Sequence, residues 1–332
     1  MSEFVTLGEL LIDFTPAGEK NAQRLYMRNA GGAVANVAAA LAGFRVSAAF
    51  LGMVGNDAFG RYLERVLRDK GVDTKGLVFS DQYNTTLAFV DIGADGERDF
   101  TFYRKPGADT MYDKSLINFD VFKDARVFHF GSLSLTNEPA RSATYEAAKF
   151  AKSRGTVVSY DPNYRAPLWE SERSAKEQIL KGLEYADILK ISDSEAFLLF
   201  GDMPHGEAAE KLLKKGVKLV FITLGSRGAL YANASCMGTV KAFAANAVDT
   251  TGAGDCFTAA ALYGLLKCGK APDKIAAGEL REITRFACAA ASVCVESPGG
   301  IPSMPSLGQA IKRLGREPGF YAPAVDNDIL NN

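Results

Sequence analysis

VDTTGAGDCF, residues 248–257, sets two glycines one residue apart among two threonines and two aspartates, just ahead of a long run of Ala, Leu and Tyr. A Gly-x-Gly turn that enters a helix lets backbone amides approach an anion. If the helix starts near Gly254, the amides of Gly252, Ala253 and Gly254 point out of its N-terminus, at the positive end of its dipole. Asp255 follows directly, where a carboxylate would repel a bound phosphate. Alone, it reads as a dipole-stabilised residue of the first turn. Beside an anion hole it has another use. Kept ionised, it accepts the proton of a hydroxyl attacking a phosphorus held by those amides, which describes phosphoryl transfer to an alcohol.

Other phosphate sites fit less well. No Gly-x-x-x-x-Gly-Lys-[Ser/Thr] occurs, so the turn is not a P-loop. A dinucleotide fingerprint would need Gly or Ala at 257, where Phe257 stands, and would follow the first strand rather than lie near residue 250.

The 332 residues carry 38 Lys plus Arg against 39 Asp plus Glu, a balance that offers nucleic acid or an anionic membrane no general attraction. Neither a basic aromatic-interleaved run nor an apolar window of membrane-spanning length is present. The N-terminal stretch lacks a cationic leader pattern, and the expected location is cytoplasmic. Five cysteines without a Cys-x-x-Cys pair read as buried free thiols in a reducing compartment. With only His129 and His205 present, metal clusters and Ser-His-Asp chemistry have little to draw on, so carboxylates, amides and Arg/Lys must carry the reaction.

FVTLGELLIDF reads as a first strand ending at Asp13, and NAGGAVANVAAALAGF as a Gly turn feeding a helix ended by Gly43. SAAFLGMVG is a second buried strand before the helix DAFGRYLERVLRDKG. Short β-rich runs recur at ARVFHFGSLSL, TVVSYDPN, ADILKISD and LVFITLGSRG, most of them separated by helical stretches. This alternation predicts an α/β fold with a largely parallel sheet covered on both faces. Residues 85–104 break the rhythm as two alternating runs around a Gly93–Glu97 turn, and 14–30 end in a strand at QRLYMRN. Together they predict a small β lid, from 14–30 and 85–106, over the ligand edge; an ornamental surface hairpin is the alternative. Ligands of open α/β sheets bind beyond the carboxyl ends of strands, where Asp13, Gly31-Gly32, Gly52–Gly55, Asp161, Ser192–Glu195, Thr223–Gly228 and Asp249–Asp255 are all expected to fall.

Asp249-Thr250-Thr251-Gly252-Ala253-Gly254-Asp255 resembles the C-terminal signature of the ribokinase-like (PfkB) carbohydrate kinases. Gly31-Gly32-Ala33-x-x-Asn36-x-Ala38, followed by Gly52-x-Val54-Gly55-x-Asp57-x-x-Gly60, resembles the N-terminal one. The resemblance covers nearly the whole chain and implies a ribokinase-like three-layer α/β/α kinase domain over 1–316, with 317–332 as a C-terminal tail. It implies Asp255 as general base, with Gly252, Ala253 and Gly254 as the anion hole. It places Asp13, Gly31, Gly32 and Asn36 on sugar hydroxyls, where carboxylate and carboxamide groups share several hydrogen bonds; alone, Asp13 reads as a loop cap and Asn36 as a buried polar group. Ser192-Asp193-Ser194-Glu195 stands where the family has Asn-x-x-Glu, so Ser192 and Glu195 would organise Mg²⁺ through water. Thr223, Gly225 and Gly228 fall in the ATP-phosphate and ribose loop, and Cys288 on the adenine side, where the family often has Asn or His. Asp249, Thr251 and Ser303 fall around an activating monovalent cation, K⁺. Lys190 and Arg227 would add charge at the nucleotide-phosphate loop, with solvated surface cations as the preferred reading.

FYRKPGAD (102–109) and DPNYRAPLW (161–169) resemble the fructokinase branch and the neighbouring 2-keto-3-deoxygluconate kinases. Arg104 and Arg165 would steady a sugar oxygen or a phosphate, with a lid-to-sheet salt bridge as the alternative for Arg104. A carboxylate-bearing sugar acid would suit Tyr103 and Arg104, whereas the Pro-Gly-Ala-Asp continuation favours fructose. A regulatory relative without catalysis is the reading from a different class. A homodimer through the lid is expected, since exposed β edges invite pairing.

Overall fold

The computed structural model describes residues 2–92, 98–316 and 319. In chain order the strands are β1 (Phe4–Leu7), β2 (Leu11–Lys20), β3 (Gln23–Gly31), β4 (Ala48–Gly55), β5 (Asp73–Ser80), β6 (Leu87–Ile92), β7 (Arg98–Tyr103), β8 (Val127–Gly131), β9 (Val157–Asp161), β10 (Ile188–Ser192), β11 (Leu219–Thr223), β12 (Ala229–Asn233) and β13 (Met237–Val240). The helices are α1 (Ala33–Gly43), α2 (Ala58–Asp69), α3 (Ala140–Ser153), α4 (Glu172–Gly182), α5 (Asp193–Phe200), α6 (His205–Lys214), α7 (Ala253–Cys268), α8 (Ala277–Cys294) and α9 (Leu307–Leu314).

Among the described residues the strands form two sheets. The large one runs β13-β12-β11-β10-β9-β8-β1-β4-β5, parallel from β11 to β5 and antiparallel at the β12 and β13 edge. Its strands are apolar in unbroken runs because helices cover both faces; every residue of AAFLGMVG in β4 is buried. One face packs on α1, α2, α7, α8 and α9, the other on α3, α4, α5 and α6, which completes the three layers. The small sheet runs β3-β2-β6-β7. The Gly93–Glu97 turn and, apart from Gly319, the tail from 317 lie outside the described residues.

FVTLGELLIDF is two strands rather than one. β1 pairs with β4 and β8 in the large sheet, the chain turns at Gly8–Leu10, and β2 enters the small sheet. Both pieces are buried, so the apolar run carries no boundary except Gly8. Asp13 therefore rises from the small sheet, opposite Asn29 and Ala88, and not from the end of a core strand. The strands β5, β12, β13 and the first half of the β2–β3 hairpin had no clear alternation to mark them.

The second half of the N-terminal signature is structural. Asp57 caps α2 through the Gly60 amide at 2.8 Å, and its other oxygen takes the Thr85 amide at 2.8 Å. One carboxylate thus ties a core helix to the entry of lid strand β6. Among the described residues no helix is long and apolar enough to cross a membrane.

Candidate active site

A cavity of ≈ 340 Å³ lies between the small sheet and the carboxyl ends of the core strands, within the usual size for small-molecule sites. Asp13 and Phe102 reach it from the small sheet; Asn36, Asn163, Arg165, Lys190 and Asp255 reach it from the core.

Asp255 stands in the first turn of α7. The turn needs Gly252 as its cap, at φ 81, a left-handed conformation in which a side chain would also strike Met304. Asn36 Nδ2 donates to Asp255 Oδ2 at 2.7 Å, and Asn163 Nδ2 donates to Oδ1 at 2.7 Å. Each oxygen keeps a lone pair for a substrate proton. Burial, then the negative charge of Asp161, pushes the Asp255 carboxyl up to about 6; the Asn36 hydrogen bond, Lys190 and Arg165 pull the other way. That value suits a base working near neutrality. Asp13, across the cavity, is pushed to about 7 by burial, with Arg165 opposing and Asp249 and Asp255 adding to the rise.

Asp161 closes β9 and is buried. It takes Lys190 Nζ at 3.0 Å, the Thr258 hydroxyl at 3.1 Å and the Asn163 amide at 3.2 Å.

A second cavity, ≈ 650 Å³, abuts the first. Thr223, Gly225, Gly228, Phe243, Cys288 and Val295 form part of its wall. Thr250 and Gly254 line both cavities, so the opening of α7 is the partition between them.

Residues 1–307 match the family described as pfkB family carbohydrate kinase. The chain belongs to that family. It is similar to fructokinase-2 of Oryza sativa subsp. japonica, 41% identical over 318 residues covering 94% of each chain. Among solved structures it resembles a fructokinase with bound ATP from Xylella fastidiosa, with a TM-score of 0.86, 29% identity and coverage of 95% and 99% of the two chains. A fructokinase double mutant from Vibrio cholerae O395, with fructose, ADP and potassium ion bound, superposes with a TM-score of 0.84, 31% identity and coverage of 95% and 98%.

Within this pfkB kinase, the structure brings Asp13, Gly32, Asn36, Arg165, Ser192, Glu195, Thr251, Gly252, Gly254 and Asp255 to the first cavity. Gly31 sits on β3 opposite Leu11. Thr223, Gly225, Gly228, Ala253 and Cys288 face the second. Glu195 closes a capping box on α5: its Oε2 accepts the Ser192 amide at 2.7 Å and its Oε1 the Tyr164 amide at 2.7 Å. Asp249 bridges two loops, taking the Thr251 amide at 2.7 Å and the Gly299 amide at 3.0 Å, while the Ser303 hydroxyl donates to Gly300 O at 2.9 Å.

Three expectations are corrected. The Ala253 amide turns back onto Thr250 O at 3.2 Å, so it does not point at an anion in this geometry. Arg104 does not line the first cavity. Its buried guanidinium is spent on Asp109 at 2.6 Å, Thr136 Oγ1 at 2.9 Å and Leu133 O at 2.9 Å, the salt-bridge alternative, though with a core loop partner close in sequence. Lys190 is buried, not a solvated cation. Arg227 does lie at the surface, paired with Asp193.

Sequence reasoning missed Asn163, Glu9 and the pairing of Asp161 with Lys190. Asn163 had a signal: Asn after Asp-Pro tolerates the left-handed backbone found there, φ 48. Glu9 had none. It is buried at the turn between the two sheets, with Oε1 accepting the Ala33 amide at 2.5 Å and Oε2 without a partner. Burial pushes its carboxyl up to about 7.

Proposed function

We propose that this chain is an ATP-dependent fructokinase that phosphorylates the terminal C6 hydroxyl of fructose. The observation that carries the reading is the shared partition: Thr250 and Gly254 belong to both cavities, and Asp255 stands on the polar side of it. A sugar in the first cavity and a nucleotide in the second meet at the opening of α7. The similarity to fructokinases, at 41% identity over most of the chain, supports fructose as the acceptor.

Asp13 and Arg165 orient the sugar from opposite walls. Asp255, its carboxylate fixed by Asn36 and Asn163, accepts the proton of the attacking hydroxyl. The new bond joins that oxygen to the γ-phosphorus, the bond to the ADP oxygen breaks, and the Gly252 and Gly254 amides stabilise charge on the phosphoryl oxygens. Closure of the small sheet over the sugar would exclude water, so hydrolysis would not compete.

Mg²⁺ accompanying ATP would neutralise phosphate charge. No group of three or more His, Cys, Asp or Glu able to hold a metal exists among the described residues, and Glu195 already accepts two amides. Those residues fit an ion bound mainly by phosphate and water, with Glu195 and Ser192 receiving the water ligands. K⁺ would sit with Asp249, Thr251 and Ser303. A potassium ion is bound in the Vibrio cholerae relative.

The kinase domain spans 1–316. A homodimer would form through the small sheet, whose edge strands β3 and β7 expose Leu25, Met27 and Tyr103. The protein would work in the cytoplasm. The sugar-acid alternative loses support because Arg104 is committed to Asp109.

The test is a coupled ADP-release screen over fructose, 2-keto-3-deoxygluconate, ribose, tagatose and nucleosides. Fructose should give the highest kcat/KM. A preference for the sugar acid would overturn the substrate, and activity on none would favour a regulatory protein.

A further inference from the structure

We propose that Lys190 is a further catalytic residue, its ammonium contacting the phosphoryl group in transit; this rests on the kinase reading of Asp255 above. Lys190 lies near the end of β10 and lines the sugar cavity while almost wholly buried. Its position relative to α7 is decisive. A Cβ on residue 254 would fall 2.8 Å from Nζ, so the ammonium lies against the Gly254 backbone, at the partition shared by the two cavities. The charge therefore sits where the γ-phosphorus must pass.

Asp161 is its hydrogen-bond partner, with Nζ 3.0 and 3.3 Å from the two carboxylate oxygens. An ammonium has three N–H donors, and no other partner is present among the described residues, so donors remain for a ligand. A buried ion pair is a poor source of stability, because desolvating two charges offsets most of their attraction. A cation kept at that cost beside the reaction path has a better use there. The phosphoryl group spreads negative charge over three equatorial oxygens as the O–P bond to the sugar forms and the bond to ADP breaks. The Gly252 and Gly254 amides meet that charge from the helix, and Lys190 meets it as a point charge from the sheet. Burial works against the ammonium, but Asp161 first, then Glu195 and Asp255, hold its pKa above the ordinary lysine value. It stays charged.

Lys190→Met should lower kcat by roughly 10²–10³-fold, the scale of one lost oxyanion contact, with KM for fructose little changed. The discriminating variant is Asp161→Asn combined with Lys190→Gln, which removes both buried charges and keeps the interior neutral if the single variant does not fold. Binding of ADP with aluminium fluoride and fructose, a mimic of the planar phosphoryl group, is measured by calorimetry beside ADP alone. The proposal expects the double variant to stay slow and to bind the mimic at least roughly 10²-fold more weakly, with ADP affinity retained. Recovery of turnover in the double variant, or undiminished binding of the mimic, would show that Lys190 only neutralises Asp161 and would overturn the proposal. A wild type inactive on every sugar would instead overturn the kinase reading on which it rests.

Discussion

Asn163 donates its side-chain amide to Asp255 Oδ1 at 2.7 Å from a backbone held at φ 48. The strained position is maintained by Asp161, which takes the Asn163 backbone amide at 3.2 Å. With Asn36 on the other oxygen, the carboxylate has one orientation. Asn163→Ala removes a hydrogen bond to a charged group, about 1.5–3 kcal/mol, and should lower kcat by roughly 10–100-fold. Steady-state kinetics check this, with KM for fructose nearly unchanged; a fall in KM-limited binding alone would contradict a positioning role.

Asp255→Asn keeps the shape but can accept from only one of the two neighbouring amides and cannot take a proton. Turnover should fall by roughly 10²–10⁴-fold while calorimetry finds fructose and ATP binding retained. Near-normal turnover would sink the assignment of the base.

The acid limb of kcat/KM should lie two to three pH units above that of ordinary aspartates. Asp255 is pushed to about 6 and Asp13 to about 7, and both act as carboxylates, so activity is lost as pH falls through that window. The limb belongs to the two groups jointly. Asp161→Asn removes a negative neighbour that raises Asp255, so its part of the limb should move to lower pH. A wild-type limb near pH 4 would refute the raised values.

Arg104 and Arg165 should separate cleanly. Arg104→Met leaves Asp109 buried without its cation, at a cost of roughly 3–5 kcal/mol, read as a lowered Tm. Arg165→Met, at a half-buried residue of the cavity wall, should leave Tm nearly unchanged and raise KM for fructose. The reverse pattern would restore Arg104 to the sugar site.

Light scattering at micromolar concentration should give a dimer, and Leu25→Lys with Met27→Asp should give a monomer, since charge on a β edge opposes pairing. A wild-type monomer would contradict lid pairing.

Much of this was legible in the sequence. Gly252–Asp255 announced both the helix opening and the carboxylate in its first turn, because glycine spacing and a first-turn acid have local causes. Ser192-x-x-Glu195 is similarly local, a capping box four residues long. The split between β1 and β2 was not legible, since residues buried in either sheet look alike. Nor was the burial of Lys190: its partner Asp161 is 29 residues away, and only tertiary packing joins them. Arg104 misled for the same reason, because a guanidinium at a strand end serves ligand or loop equally well until Asp109, Thr136 and Leu133 are seen around it.

The turn at Gly8–Leu10, which sends one apolar run into two sheets, has a consequence for selectivity. Asp13 rides on the small sheet and Asp255 on α7, which packs against the large one, so in the proposed reaction they would act as the two jaws of a caliper. A sugar too short to reach from one to the other leaves the base idle, and one too long holds the jaws apart. Such an enzyme would gauge its acceptor by length as well as by hydrogen bonds.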